Sequence, residues 1–99
     1  MPEDVERFVR ECERRGKPPR IAAVESGEGR YEVWVRTGRG WEYAGEWGAR
    51  EVHGEPDGVV CKKRTCLLFW RDVMDLAFDR ETGEVSEPRW ERAEAEEGW

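Results

Sequence analysis

The sequence predicts an α+β fold: an N-terminal helix packed on a mostly antiparallel five- or six-stranded sheet, then a short C-terminal helix or tail. Three observations carry this. Apolar residues near the N-terminus recur with helical spacing, those from residue 20 onward alternate with period two, and glycine-rich turns separate the alternating segments. The chain's 99 residues suit one domain. Residues 1–88 read as a single α+β domain and residues 89–99 as a polar C-terminal helix or tail.

The first helix spans residues 2–15. Pro2 suits its first turn, and Glu3 and Asp4 suit its positive end. Val5, Phe8, Val9 and Cys12 form one apolar stripe. Gly16 ends the helix, and Pro18 and Pro19 force an extended connector. Residues 20–47 follow as a three-stranded antiparallel meander, with turns at 26–29 and 37–40. Residues 48–65 contain a loop around Pro56 and a short strand at 59–61.

Residues 66–79 fit either a helix or strands. The turn chemistry of Asp79, Thr82 and Gly83 tips the reading to strands, with Leu68, Trp70, Met74, Leu76 and Phe78 on one face. The helix stripe should cover a sheet face made by Val33, Val35, Leu76 and Phe78. Pro88 opens the C-terminal helix in this reading.

Composition narrows function. There are six Trp but one His, two Ser, three Thr and no Asn or Gln, a poor vocabulary for catalysis. Ile, Leu, Val and Phe total 17, so aromatic rings must fill part of the core. Charged residues reach 40%, with 14 Arg against 3 Lys. This mixture, without thermolabile amides, fits a protein suited to high temperature, and a GC-rich genome also favours Arg. A net charge of −6 argues against sequence-blind nucleic-acid binding. The acidic N-terminus lacks a signal-peptide apolar region, and the longest apolar run, residues 66–70, is too short for a membrane span. With an odd cysteine count, this leads to a cytoplasmic expectation.

Candidate sites follow. If the 37–40 turn sets Arg36 opposite Trp41, then Trp34 lies opposite Tyr43, and the four share a face that can stack flat groups or a partner's side chains. Tyr31, Val33, Val35 and Ala44 then take the other face. The competing reading makes these rings a second core layer, and an odd-length loop would scatter them. Lys62, Lys63 and Arg64 can hold phosphate, or simply blunt a strand edge. Cys61 and Cys66 flank this tract and admit a disulfide, whereas Cys12, His53, Cys61 and Cys66 have the ligand count, but no compelling spacing, for zinc. Asp72, Asp75 and Asp79 would form a cation stripe only on a helix. His53 is the obvious proton shuttle, or an exposed structural residue. Trp90 and Trp99, isolated among charges, are secondary anchors of the recognition surface: the tail that carries them docks on its own domain or on a neighbouring subunit, or frays.

The expectation is a non-enzymatic binding or assembly module without a cofactor. Its partner is a protein or a second copy forming a homodimer. The alternatives are local nucleic-acid or nucleotide binding through the Trp/Arg face and the Lys-Lys-Arg loop, and a metal- or thiol-dependent enzyme using His53 and the cysteines.

Overall fold

The computed structural model describes residues 1–98, with side chains described through Ala95. Helix α1 (Glu3–Arg14) precedes strands β1 (Ile21–Gly27), β2 (Arg30–Thr37) and β3 (Gly40–Gly48). Helix α2 (Ala49–His53) leads into β4 (Asp57–Cys61), β5 (Thr65–Trp70) and β6 (Val73–Asp79). Two short strands, β7 (Val85–Ser86) and β8 (Trp90–Glu91), and helix α3 (Arg92–Gly98) complete the described chain.

Among the described residues, all eight strands join one sheet, ordered β3-β2-β1-β4-β5-β6-β7, with β8 also on β6. This exceeds the five or six strands expected, because residues 90–91, read as part of the polar tail, add a short edge strand beyond the return at 85–86. The β1–β4 pair is parallel, and the other pairs are antiparallel. That parallel pair joins the N-terminal meander to the C-terminal hairpins.

Helix α1 forms as its stripe requires. Val5, Phe8, Val9 and Cys12 are buried, and Phe8 stacks on Phe78 with ring centres 5.1 Å apart. Gly16 (φ 78°) ends the helix in a Schellman arrangement, with the Lys17 amide donating to the Cys12 carbonyl and the Gly16 amide to that of Glu13. The core beneath α1 comes from Ala22, Val59, Cys61, Cys66, Leu68, Leu76 and Phe78. Val33 and Val35 belong instead to the opposite face, with Ile21, Ala23, Tyr31, Val52, Val60, Leu67, Phe69, Met74 and Ala95. The expected pairing of the helix with Val33 and Val35 is thus corrected. Alternation tells which residues of an unbroken strand share a face but not which face the helix takes.

Residues 66–79 are strands. They turn at Arg71 and Asp72, both with positive φ (53° and 67°). The strained amide of Arg71 donates to the Pro56 carbonyl (3.1 Å) and to Asp57 Oδ1 (3.0 Å). A bulge then opposes Leu68 to Leu76 but Phe69 to Met74, leaving Asp75 as the extra residue. Met74 therefore leaves the face that Leu76 and Phe78 share. The 79–83 turn forms as read: Asp79 Oδ1 accepts from the Glu81 and Thr82 amides, and Gly83 has φ 78°. Helix α3 begins at Arg92, not at Pro88, because residues 90–91 first pair with β6. Arg92 is buried, with its guanidinium 4.5 Å from the Phe69 ring centre and Nη1 donating to the Glu55 carbonyl at 2.7 Å. The tail thus docks on its own sheet through Arg92 and Ala95.

Ion pairs pin α1 and the residues that follow it: Asp4 with Arg80, Glu13 with Arg36, Arg15 with Glu87, and Lys17 with Asp75. Arg80 holds the Asp4 carboxyl below its usual range, and Arg64 does the same for Asp79. Depressed folded-state pKa values stabilise above the unfolded carboxylate pKa, and that stability is lost as pH falls through the folded value. The double variant Asp4→Asn, Asp79→Asn should therefore be less stable than the wild type near neutral pH. The gap should narrow below about pH 4, as the wild-type carboxylates protonate; denaturant titration at several pH values checks this. Packing makes a separate demand at Gly58, where a Cβ would sit 2.8 Å from Ile21 Cγ1. Gly58→Ala should cost about 1–3 kcal/mol, whereas Gly38→Ala, in open space, should stay within about 0.5 kcal/mol, both read by thermal unfolding.

Candidate functional site

The β2–β3 hairpin closes through two residues, Gly38 and Arg39, so that Thr37 pairs with Gly40. Thr37 Oγ1 accepts from the Arg39 amide and donates to the Gly40 carbonyl, both at 3.1 Å. Gly40 takes φ 107°, a left-handed value open to glycine. The even loop sets the register that the sequence suggested: Arg36 faces Trp41, and Trp34 faces Tyr43.

These four side chains form one connected surface on the α1 side of the sheet. Trp34 and Tyr43 are tilted at 60° with ring centres 5.5 Å apart. The Arg36 guanidinium sits 4.8 Å from the Trp41 ring centre. Arg36 is held from the other side, because Nε donates to the Pro19 carbonyl at 3.1 Å and Nη2 pairs with Glu13 of α1. Trp41 also leans on the core beneath α1. The Tyr43 hydroxyl donates to the Glu32 carboxylate.

The buried residues under α1 come from β1, β4, β5 and β6, so the β2–β3 flank of this face keeps its solvent access. Trp34 and Trp41 are half-buried and Tyr43 is 59% exposed. This lies between the sealed core layer and the open platform weighed from the sequence. The rings are seated at their bases and open at their edges. Past Tyr43, a bulge at Ala44–Gly45 (Gly45 φ 95°) shifts the register, so that Val33 faces Gly45 and Tyr31 faces Trp47. Trp47 therefore turns to the opposite face and packs on its core. An Ala-Gly step inside an alternating strand was the visible signal for this reversal.

The other candidates lie elsewhere. Lys62, Lys63 and Arg64 form the β4–β5 turn. In the parallel register Val24 sits beside Cys61, whereas Arg36 and Trp41 lie at the Ile21 end of the sheet. The basic turn and the aromatic face thus occupy opposite ends. Arg64 pairs with Asp79 and Glu81, and both partners raise its pKa. Trp90, 52% exposed, stands on β8 at the far edge of the sheet and lines a groove of about 320 Å³ with Leu67, Met74, Pro88 and Ala95. Trp99 lies outside the described residues.

Cys61 and Cys66 face one another across β4 and β5 and form a buried disulfide. Cys12 is a buried thiol whose pKa burial pushes up to about 12, far from a reactive thiolate. His53 is not an exposed loop residue. It ends α2, half-buried, with its ring edge-on to Tyr31 and Phe69 on the face opposite the cysteines. Among the described residues, no group of three His, Cys, Asp or Glu side chains is placed to hold a metal. Asp72 lies in a turn, Asp79 caps another, and Asp75, 6% exposed, pairs with Lys17 and Arg89. Sequence reasoning missed one cluster, Arg7, Arg10 and Arg14, whose spacing along one side of α1 was the available sign.

The Glu32 contact fixes a measurable property of the site. The carboxylate accepts the phenol's hydrogen bond and repels a phenolate, so Tyr43 ionises above the ordinary phenol range. Glu32→Gln should lower the Tyr43 titration midpoint, followed by NMR of its ring carbons. An unchanged midpoint would separate Glu32 from that hydroxyl.

No protein family, curated protein sequence or solved structure matches this chain, so a functional reading rests on this geometry alone.

Proposed function

We propose that this chain is a non-enzymatic binding or assembly module, with a protein or a second copy of itself as partner. The recognition surface is the face built by Trp34, Arg36, Trp41 and Tyr43. One observation carries the reading: two Trp, a Tyr and an Arg stand in one fixed, partly open array across β2 and the edge strand β3. Trp, Tyr and Arg are the side chains most often responsible for interface energy. The contacts of Arg36 with Glu13 and Pro19 fix its rotamer before a partner arrives, which lowers the entropy lost on binding. The edge of β3 offers backbone groups to an added strand.

The setting we propose is the cytoplasm of an organism that grows hot. The ion pairs that tie α1 to the sheet support this, as does the absence of Asn and Gln. A disulfide inside a cytoplasmic chain fits the same setting, because intracellular bridges are common in hyperthermophiles.

Tyr43 is the position to test, because its exposed ring adds little to the core. Tyr43→Ala should leave the melting temperature unchanged and cost association about 2 kcal/mol, or roughly thirtyfold in affinity. Placing a photo-crosslinking benzoylphenylalanine at position 43 in living cells should trap a protein or a second copy. Trapped nucleic acid, or no adduct, overturns the proposal.

A further inference from the structure

A second surface lies on the other flank of α1. There the helix and the β7 edge enclose an open groove of about 410 Å³. Val85 and the exposed margins of the otherwise buried Phe8 and Phe78 rings form its apolar floor, and Arg7, Arg10 and Arg14 rise along its helical wall. The three arginines sit at i, i+3 and i+7, so they share one side of α1. In a chain of net charge −6, this wall sets three cations against a single lining acid, Glu11.

Arg10 pairs with Glu6 and Arg14 with Glu11, both along the exposed helix surface. Such pairs contribute little to stability, so a carboxylate from a ligand can replace the internal one. The planar guanidinium fork then receives the incoming carboxylate with two parallel hydrogen bonds. The apolar floor asks for a bulky side chain between those carboxylates. Val85 also lines the groove, and β7 ends the strand order at this edge, so an extended backbone can lie alongside it.

We infer that this groove binds an acidic extended peptide: a bulky apolar residue flanked by Asp or Glu. The apolar side chain rests on Phe8, Phe78 and Val85, and its neighbours pair with Arg7, Arg10 and Arg14. This surface is separate from the Trp/Tyr face and stands or falls independently of it.

A random decapeptide library displayed on phage tests the idea against the intact protein. Selected peptides should be enriched in Asp and Glu around an aromatic or large aliphatic residue. A synthetic peptide from that pool should bind at least tenfold more weakly to Arg7→Glu and to Arg10→Glu. It should keep its affinity for Arg39→Glu, an exposed charge reversal in the β2–β3 turn. Its affinity should also fall several-fold as salt rises from about 50 to about 300 mM. Circular dichroism of each variant separates lost binding from lost fold. No acidic enrichment, equal binding by the groove variants, or selection of basic peptides overturns the inference.

Discussion

The parallel pairing of β1 with β4 holds the molecule together. Among the described residues it is the one strand pairing that joins the 21–48 meander to the 57–86 hairpins, and its register decides what each layer can bury. Ala22 pairs beside Val59, and Val24 beside Cys61, under α1, while Ala23 sits beside Val60 on the face covered by α2 and α3. The alanines keep the middle of the sheet low on both faces, so covering elements can approach closely. Gly58 has the same role within the sheet, where Ile21 occupies the space a Cβ would need. A one-residue slip would exchange the two faces and detach both layers at once.

A thin aliphatic supply explains the next level. Rings and the stems of charged residues supply burial that Leu and Ile provide elsewhere. Phe8 stacks on Phe78, His53 wedges between Tyr31 and Phe69, and Arg92 lies over Phe69. The same economy makes Trp41 and Trp47 structural at their bases while leaving ring edges accessible. Stability and recognition therefore share side chains, and a loss of binding in a Trp41 variant means little unless folding is measured beside it. Tyr43 escapes that coupling because its ring projects past the core.

Much of this was legible in the sequence wherever one physical signal dominated. The α1 stripe, the meander, the 37–40 turn and the left-handed Gly83 each followed from spacing or turn chemistry. The pairing of Trp34 with Tyr43 followed only on condition that the loop was even, and the register meets that condition. What stayed hidden required tertiary contacts. Helix α2 has five residues, too few to show a period. The Arg71–Asp72 turn uses left-handed backbone without glycine and is held by acceptors from Pro56 and Asp57, so no local rule marked it. Bulges at Ala44–Gly45 and Asp75 reversed alternation midway, turning Trp47 away from the face of Trp41 and Tyr43 and moving Met74 to the face not expected. Arg92 was invisible as a buried residue because Phe69 and the Glu55 carbonyl that accommodate it are distant in sequence.

The position of α1 links these levels to function. Its apolar stripe must lie over β1, β4, β5 and β6, which leaves a flank of sheet open on either side. On one flank Glu13 reaches Arg36 and holds the guanidinium against Trp41, so the helix shapes the aromatic face without covering it. On the other flank the helix presents arginines above Phe78 and Val85. Both surfaces are consequences of one packing decision. A helix wide enough to cover the whole sheet would need more apolar residues than Val5, Phe8, Val9 and Cys12 provide. The scarcity that makes the core small is therefore also what leaves two surfaces open beside it.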